Sequence, residues 1–159
     1  MLKILITIVG LSAVDSYSYA TECPLSVKPV LQELNLKNHK LEKDPSSTNG
    51  IREAGELLDK TKVMVESSGC EKLRSNYQFS YKDSKTPVSN SKHWLELAEK
   101  SFVEIQKKTL AKFIKKQKVL PLKKAVSVDS MLTLVKSTIL QTKDETILRF
   151  ETVLEPLIE

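Results

Sequence analysis

KHWLELAEKSFVEIQKKTLAKFIKKQK, residues 92–118, is the longest helical pattern in the chain and its most basic stretch. At about 100° per residue, with Phe102 centring one face, Leu95, Ala98, Ile105, Thr109 and Phe113 gather on that side. Trp94 and Leu110 stand at its edges, and Lys100, Glu104, Lys107, Lys108 and Lys115 gather opposite. No Gly or Pro interrupts these residues, so the backbone can run about 40 Å at 1.5 Å per residue before Pro121 ends it. An apolar arc this wide suits a helix with two or three neighbours.

The rest of the chain is read outward from that helix. Four Gly and six Pro in 159 residues are few for a turn-rich β fold. The expected class is all-α, a bundle of about four principal helices. Residues 25–40 read as the first helix, with Val27, Val30, Leu31 and Leu34 on one side, and residues 51–67 as the second, with Asn49-Gly50 in the loop between. After Pro121, Ser127 or Asp129 can cap a last helix, which either restarts at Thr142, where Thr142 and Glu145 form a capping pattern, or continues unbroken to Leu154.

Residues 1–20 carry the marks of a signal peptide: Lys3, an apolar run over residues 4–14, and the small residues Ser18 and Ala20 before the cleavage point. The run is shorter than the roughly 20 residues that span a bilayer. Removal would leave residues 21–159 as one helical domain with no transmembrane segment, exported to a periplasm or secreted. In an oxidising compartment the two cysteines, Cys23 and Cys70, are expected to pair. They flank the first two helices, so the disulfide would close the mouth of a helical hairpin.

Catalytic signals are missing. The two histidines, His39 and His93, have no second ligand at a metal-binding spacing, and neither a nucleophile motif nor a phosphate-cradling glycine loop occurs. No enzyme activity, metal or cofactor is expected. Function is instead sought in binding. Tyr77, Phe79 and Tyr81 alternate along residues 71–91, with His93 and Trp94 following. This aromatic crossover either covers a groove between helices or contacts an exported protein partner, aromatic anchors being common hot spots. A protein partner bound through Tyr77, Phe79, Tyr81, His93 and Trp94 is the expected function.

Charge supplies the alternative. Residues 100–124 hold nine lysines against one glutamate, a net of +8, whereas residues 129–159 sum to −3. Lys107, Lys108 and Lys115 would then hold an anionic lipid or polysaccharide. Nucleic acid fits poorly: export removes the chain from it, and Arg52, Arg74 and Arg149 are the only arginines.

Overall fold

Along residues 146–154 the side chains alternate between two environments. Thr146, Leu148, Phe150 and Thr152 are buried, while Ile147, Arg149 and Glu151 are more exposed. A period of two belongs to a strand with one covered face. The same alternation buries Val63 and Val65, and then Ser75, Tyr77, Phe79 and Tyr81.

The computed structural model describes residues 25–155 apart from 35, 45, 46 and 48, and its frame is a seven-stranded antiparallel sheet. In chain order the elements are β1 (Lys37–Lys43), β2 (Ile51–Glu56), β3 (Lys62–Gly69), β4 (Leu73–Tyr81), α1 (Ser91–Glu104), α2 (Lys108–Lys115), β5 (Val126–Ser127), β6 (Leu132–Gln141) and β7 (Thr146–Leu154). Across the sheet the order is β1-β2-β3-β4-β7-β6-β5. A meander of four strands is thus followed by both helices, and β7 returns to pair with β4 over nine residues.

The all-α bundle is overturned, and with it the helical hairpin. Among the described residues of 25–36 there is no helix, and residues 51–67 are β2, a turn and part of β3. The supposed crossover at 71–91 contains β4, a central strand, and the supposed last helix is β6 and β7. Thr142 and Glu145 cap no helix. They close the β6–β7 hairpin, with the Thr142 hydroxyl accepting the Asp144 and Glu145 amides. Cys23 and the whole of residues 1–20 lie outside the described residues. The helical hairpin that the Cys23–Cys70 bond was expected to close does not exist; Cys70 itself is disulfide-bonded. Cys70 sits at the β3–β4 turn, where its carbonyl accepts from the Leu25 amide at 3.1 Å. Among the described residues no helix is long and apolar enough to cross a membrane.

α1 was legible. Its Asn90 cap accepts the His93 amide at 3.3 Å, and Trp94, Leu95, Ala98 and Phe102 are buried as the pattern implies. Phe102 meets Tyr77, Phe79 and Phe150 edge-on, with ring centroids 5.1–5.4 Å apart. Such contacts add to the roughly 1.5–3 kcal/mol from burying each large apolar side chain.

The expected long helix, however, breaks after Glu104. The Lys107 amide donates to the Phe102 carbonyl at 2.8 Å and the Gln106 amide to Val103 at 3.0 Å, with Gln106 at φ 60°. That is a Schellman end, with glutamine in the left-handed seat that usually favours glycine. The turn resets the helical phase: Leu110, Ala111 and Ile114 are buried in α2, and Thr109, expected inside, is exposed.

Candidate functional site

Strand register sorts the inner face of the sheet into rows. One row runs Gly55, Val63, Phe79, Leu148, Ile139, and the next runs Glu53, Val65, Tyr77, Phe150, Ser137. These rows lie under α1. The row beyond them reads Ile51, Ser67, Ser75, Thr152, Leu134, and its middle is small hydroxyl residues. The Ser67 and Ser75 hydroxyls bond each other at 2.9 Å, and the Thr152 hydroxyl donates to the Ser75 carbonyl at 3.3 Å. Large rings fill the space between sheet and helix in the first two rows; Ser and Thr do not in the third.

A half-enclosed cleft of about 500 Å³ opens over that row. Ser67, Ser75, Thr152 and Tyr77 form its floor with Leu73, Leu132 and Leu154, and the α1–α2 corner from Gln106 to Leu110 forms its roof. Residues 25–30 close one side, with Leu25, Pro29 and Val30 in the wall. That wall is pinned by Glu53, a β2 carboxylate only 1 % exposed. Its oxygens accept the Val30 amide and, at 2.9 Å, the Leu31 amide, while His39 Nε2 lies at 3.4 Å. Leu31 is fully buried as a result.

The electrostatics of the cleft are cationic. Lys28, Lys107 and Lys108 line it against Asp129 alone. None of the three takes part in an ion pair among the described residues. Lys107 caps the start of α2 without any side-chain hydrogen bond to it, and no acidic residue follows in the first turn. Helix starts expose amides that favour an anion, so two lysines there add positive charge to a positive end. Burial pushes the Lys107 ammonium down from its ordinary value, partly offset by the Glu53 charge. The Tyr77 phenol is pushed up to about 12, chiefly by burial, so it stays protonated.

The residues singled out from sequence fall in three places. Tyr77, Phe79, Tyr81 and Trp94 are at most 5 % exposed. They are core, with the Tyr81 hydroxyl 2.8 Å from Ser101 and Trp94 Nε1 donating to the Pro87 carbonyl at 3.0 Å. They therefore form no contact surface; alternation put their rings inside the sheet. His93 is half-buried, its Nε2 2.9 Å from Asp83 Oδ2. Asp83 also accepts the Lys85 and Thr86 amides and the Thr86 hydroxyl; these bonds, those from Thr86 foremost, hold its carboxyl at about 2. Lys107 and Lys108 line the cleft, whereas Lys115 is 3.2 Å from Glu99 on α1. The three lysines do not share one outward face, because the break at Gln106 turns Lys107 inward.

A second charged group sits on the other side of α1. Asp59 binds Lys100 at 3.2 Å, and burial raises the Glu104 carboxyl, with the Asp59 charge adding to it. Among the described residues no three His, Cys, Asp or Glu side chains come together to hold a metal ion.

Sequence reading missed Ser67, Ser75, Thr152 and Glu53. Alternation of Val63, Val65 and Ser67 against Met64, Glu66 and Ser68 was the available signal for the first; nothing local marks Glu53 as buried. Comparison with protein families, with curated proteins and with solved structures finds no match for the chain.

Proposed function

We propose that the chain is an exported, non-enzymatic binding protein whose cleft takes an amphipathic anion. Its apolar tail lies along Leu73, Leu132 and Leu154, and its carboxylate or phosphate head meets Lys107 and Lys108. The carrying observation is the cleft over the Ser67–Ser75–Thr152 row: about 500 Å³, with Leu73, Leu132 and Leu154 beside the hydroxyls on its floor and lysines without ion-pair partners at a helix start that has no side-chain cap. Small-molecule pockets commonly measure about 300–1,000 Å³ and combine such apolar walls with a few polar groups.

Lysine contacts to an anionic head are charge-assisted and strengthen where water is excluded. An anion also restores to Lys107 the stabilisation that burial removes from its ammonium. The cleft hydroxyls are engaged with each other and with the backbone, which favours holding a ligand over reacting with it. Export is read from residues 1–20. A protein partner bound through the aromatic residues has lost its support, since those rings are core.

Isothermal titration with dodecanoate tests the reading, with dodecanol supplying the same tail without charge. Saturable one-to-one binding of dodecanoate is expected, weaker by about tenfold for dodecanol and for Lys107→Gln, since a hydrogen bond to a charged group is worth about 1.5–3 kcal/mol. Thr109→Trp, an exposed change at the cleft mouth, should reduce affinity for both. Equal affinity for acid and alcohol, or no saturable binding, overturns the proposal.

A further inference from the structure

α2 presents Lys108, Lys112 and Lys116 at four-residue steps, about 6 Å apart along the axis. All three are exposed, and none has an ion-pair partner among the described residues. Lys115 beside them is neutralised by Glu99 at 3.2 Å. On the opposite side of the helix Leu110, Ala111 and Ile114 are buried. The rail is therefore held by the core and directed outward. Lys118, Lys123 and Lys124 continue the exposed charge, and no acidic residue occurs from 105 to 128. The carboxylates near α2 are Glu99 on α1, engaged by Lys115, Glu53 on β2, whose charge acts on Lys107, and Asp129, which lines the cleft with Lys108; Glu104 at the end of α1 lies 4.0 Å from Lys100.

We infer that this lysine rail docks the protein on an anionic lipid bilayer, with the cleft mouth turned toward the membrane. The placement of the cleft rests on the binding function proposed above; the docking itself does not. Charge complementarity calls for a polyanion, and two features select a bilayer. No arginine stands between Arg74 and Arg149, so the surface offers diffuse charge suited to a fluid array of headgroups and lacks the fork that reads fixed phosphates or sulfates. Val119 is 53 % exposed among Lys116, Lys118 and Lys123, where an apolar side chain can enter the headgroup boundary. Lys108 belongs to both rail and cleft, so contact through the rail brings the cleft to the lipid.

Each lysine held near an anionic membrane is worth about fivefold in affinity. Neutralising two by Lys112→Gln with Lys116→Gln should therefore weaken binding about 25-fold. Neither residue lines the cleft, so dodecanoate affinity should stay unchanged in this variant. The experiment is co-sedimentation of the protein with phosphatidylglycerol–phosphatidylcholine vesicles and with phosphatidylcholine vesicles alone, at about 0.1 M and about 1 M salt, where screening shortens from about 10 Å to about 3 Å. Binding to anionic vesicles alone, lost at high salt and in the double variant, is expected. Absence of vesicle binding, equal binding to neutral vesicles, or full binding by the double variant overturns the inference. Retention on immobilised heparin without vesicle binding assigns the rail to a glycan and also overturns it. Vesicle binding without dodecanoate binding leaves the docking standing and removes only the cleft ligand.

Discussion

Glu53→Ala tests how the cleft is built. The carboxylate holds the wall at residues 29–31 through the Val30 and Leu31 amides, and it is 1 % exposed. Removing it leaves the chain two ways to respond. If the wall stays, two amides lose a charged acceptor, at about 1.5–3 kcal/mol for each bond. If the wall lifts, the amides find water but Leu31, now fully buried, is exposed, at about 1.5–3 kcal/mol for a leucine, with the contacts of Val30 lost as well. Relief from the desolvation of a buried carboxylate offsets part of either loss. The net expectation is destabilisation of about 3 kcal/mol. Glu53→Gln keeps one acceptor oxygen and should lose about half as much. Urea unfolding followed by circular dichroism measures both, since a loss of that size is a large share of a typical stability of about 5–15 kcal/mol. Because Val30 lines the cleft, dodecanoate affinity should fall in parallel. A loss under about 1 kcal/mol for Glu53→Ala would refute the reasoning.

Two further outcomes follow from local geometry. The Asp83 carboxyl lies at about 2 in the folded protein against its ordinary 3.8, so the stability it contributes is present above about pH 4 and fades as pH falls toward 2. In Asp83→Asn that contribution is gone, and the gap in melting temperature between the two proteins should narrow over the same acid range; a gap that stays constant down to about pH 2 counts against it. At Gln106, φ is 60°, where glycine fits without the Cβ penalty and a β-branched residue does not. Gln106→Gly should be neutral or stabilising by about 0.5 kcal/mol, and Gln106→Val destabilising by about 1–2 kcal/mol, read by thermal melts. The opposite order would mean that the α1–α2 corner is not set by this turn.

The parts of the fold visible in the sequence were those with strong local determinants. α1 carries an apolar face of period near 3.6, which was readable from Lys92 onward, whereas its Asn90 cap was not singled out. The Asn49-Gly50 turn was also visible. Strand β4 was read as extended because Tyr77, Phe79 and Tyr81 alternate, but its place at the centre of a sheet depends on pairing with β7, more than 60 residues away. The other strands were misread for a shared reason. In β2 the residues Arg52, Glu53, Ala54, Gly55 and Glu56 include good helix formers, and their strand state comes from ladders on both sides. In β7, Ile147, Leu148, Phe150, Val153 and Leu154 satisfy a loose helical spacing, although the buried set is Thr146, Leu148, Phe150 and Thr152. Threonine at the two ends hid the alternation. The long helix failed at Gln106, where neither Gly nor Asn announced a left-handed residue.

Of the candidate site, Lys107 and Lys108 were named from charge alone, while the reason they share a cleft lies in the row of small residues beneath them. Elsewhere on the inner face the chain spends bulk freely, with the Phe79 and Phe150 rings each 5.1 Å from Phe102 of α1 and Leu148 buried in the same core. At the Ser67, Ser75 and Thr152 positions the same strands place hydroxyls that satisfy one another and the backbone. Valine in those positions would bury more apolar surface, and removing both partners of a buried hydrogen bond together costs little. The row therefore holds less packing stability than its neighbours could supply. Forgone stability of this kind is common where a fold keeps a binding space open. Above it, Gln106 turns the chain so that Lys107 faces the opening and Leu110 closes the roof. A continuous helix from 92 to 118 would have carried Thr109 inward and placed Lys107 with the solvent-facing lysines. The left-handed turn and the hydroxyl row are separate features of the sequence, one in the helical layer and one in the sheet, and the cleft exists only where they coincide.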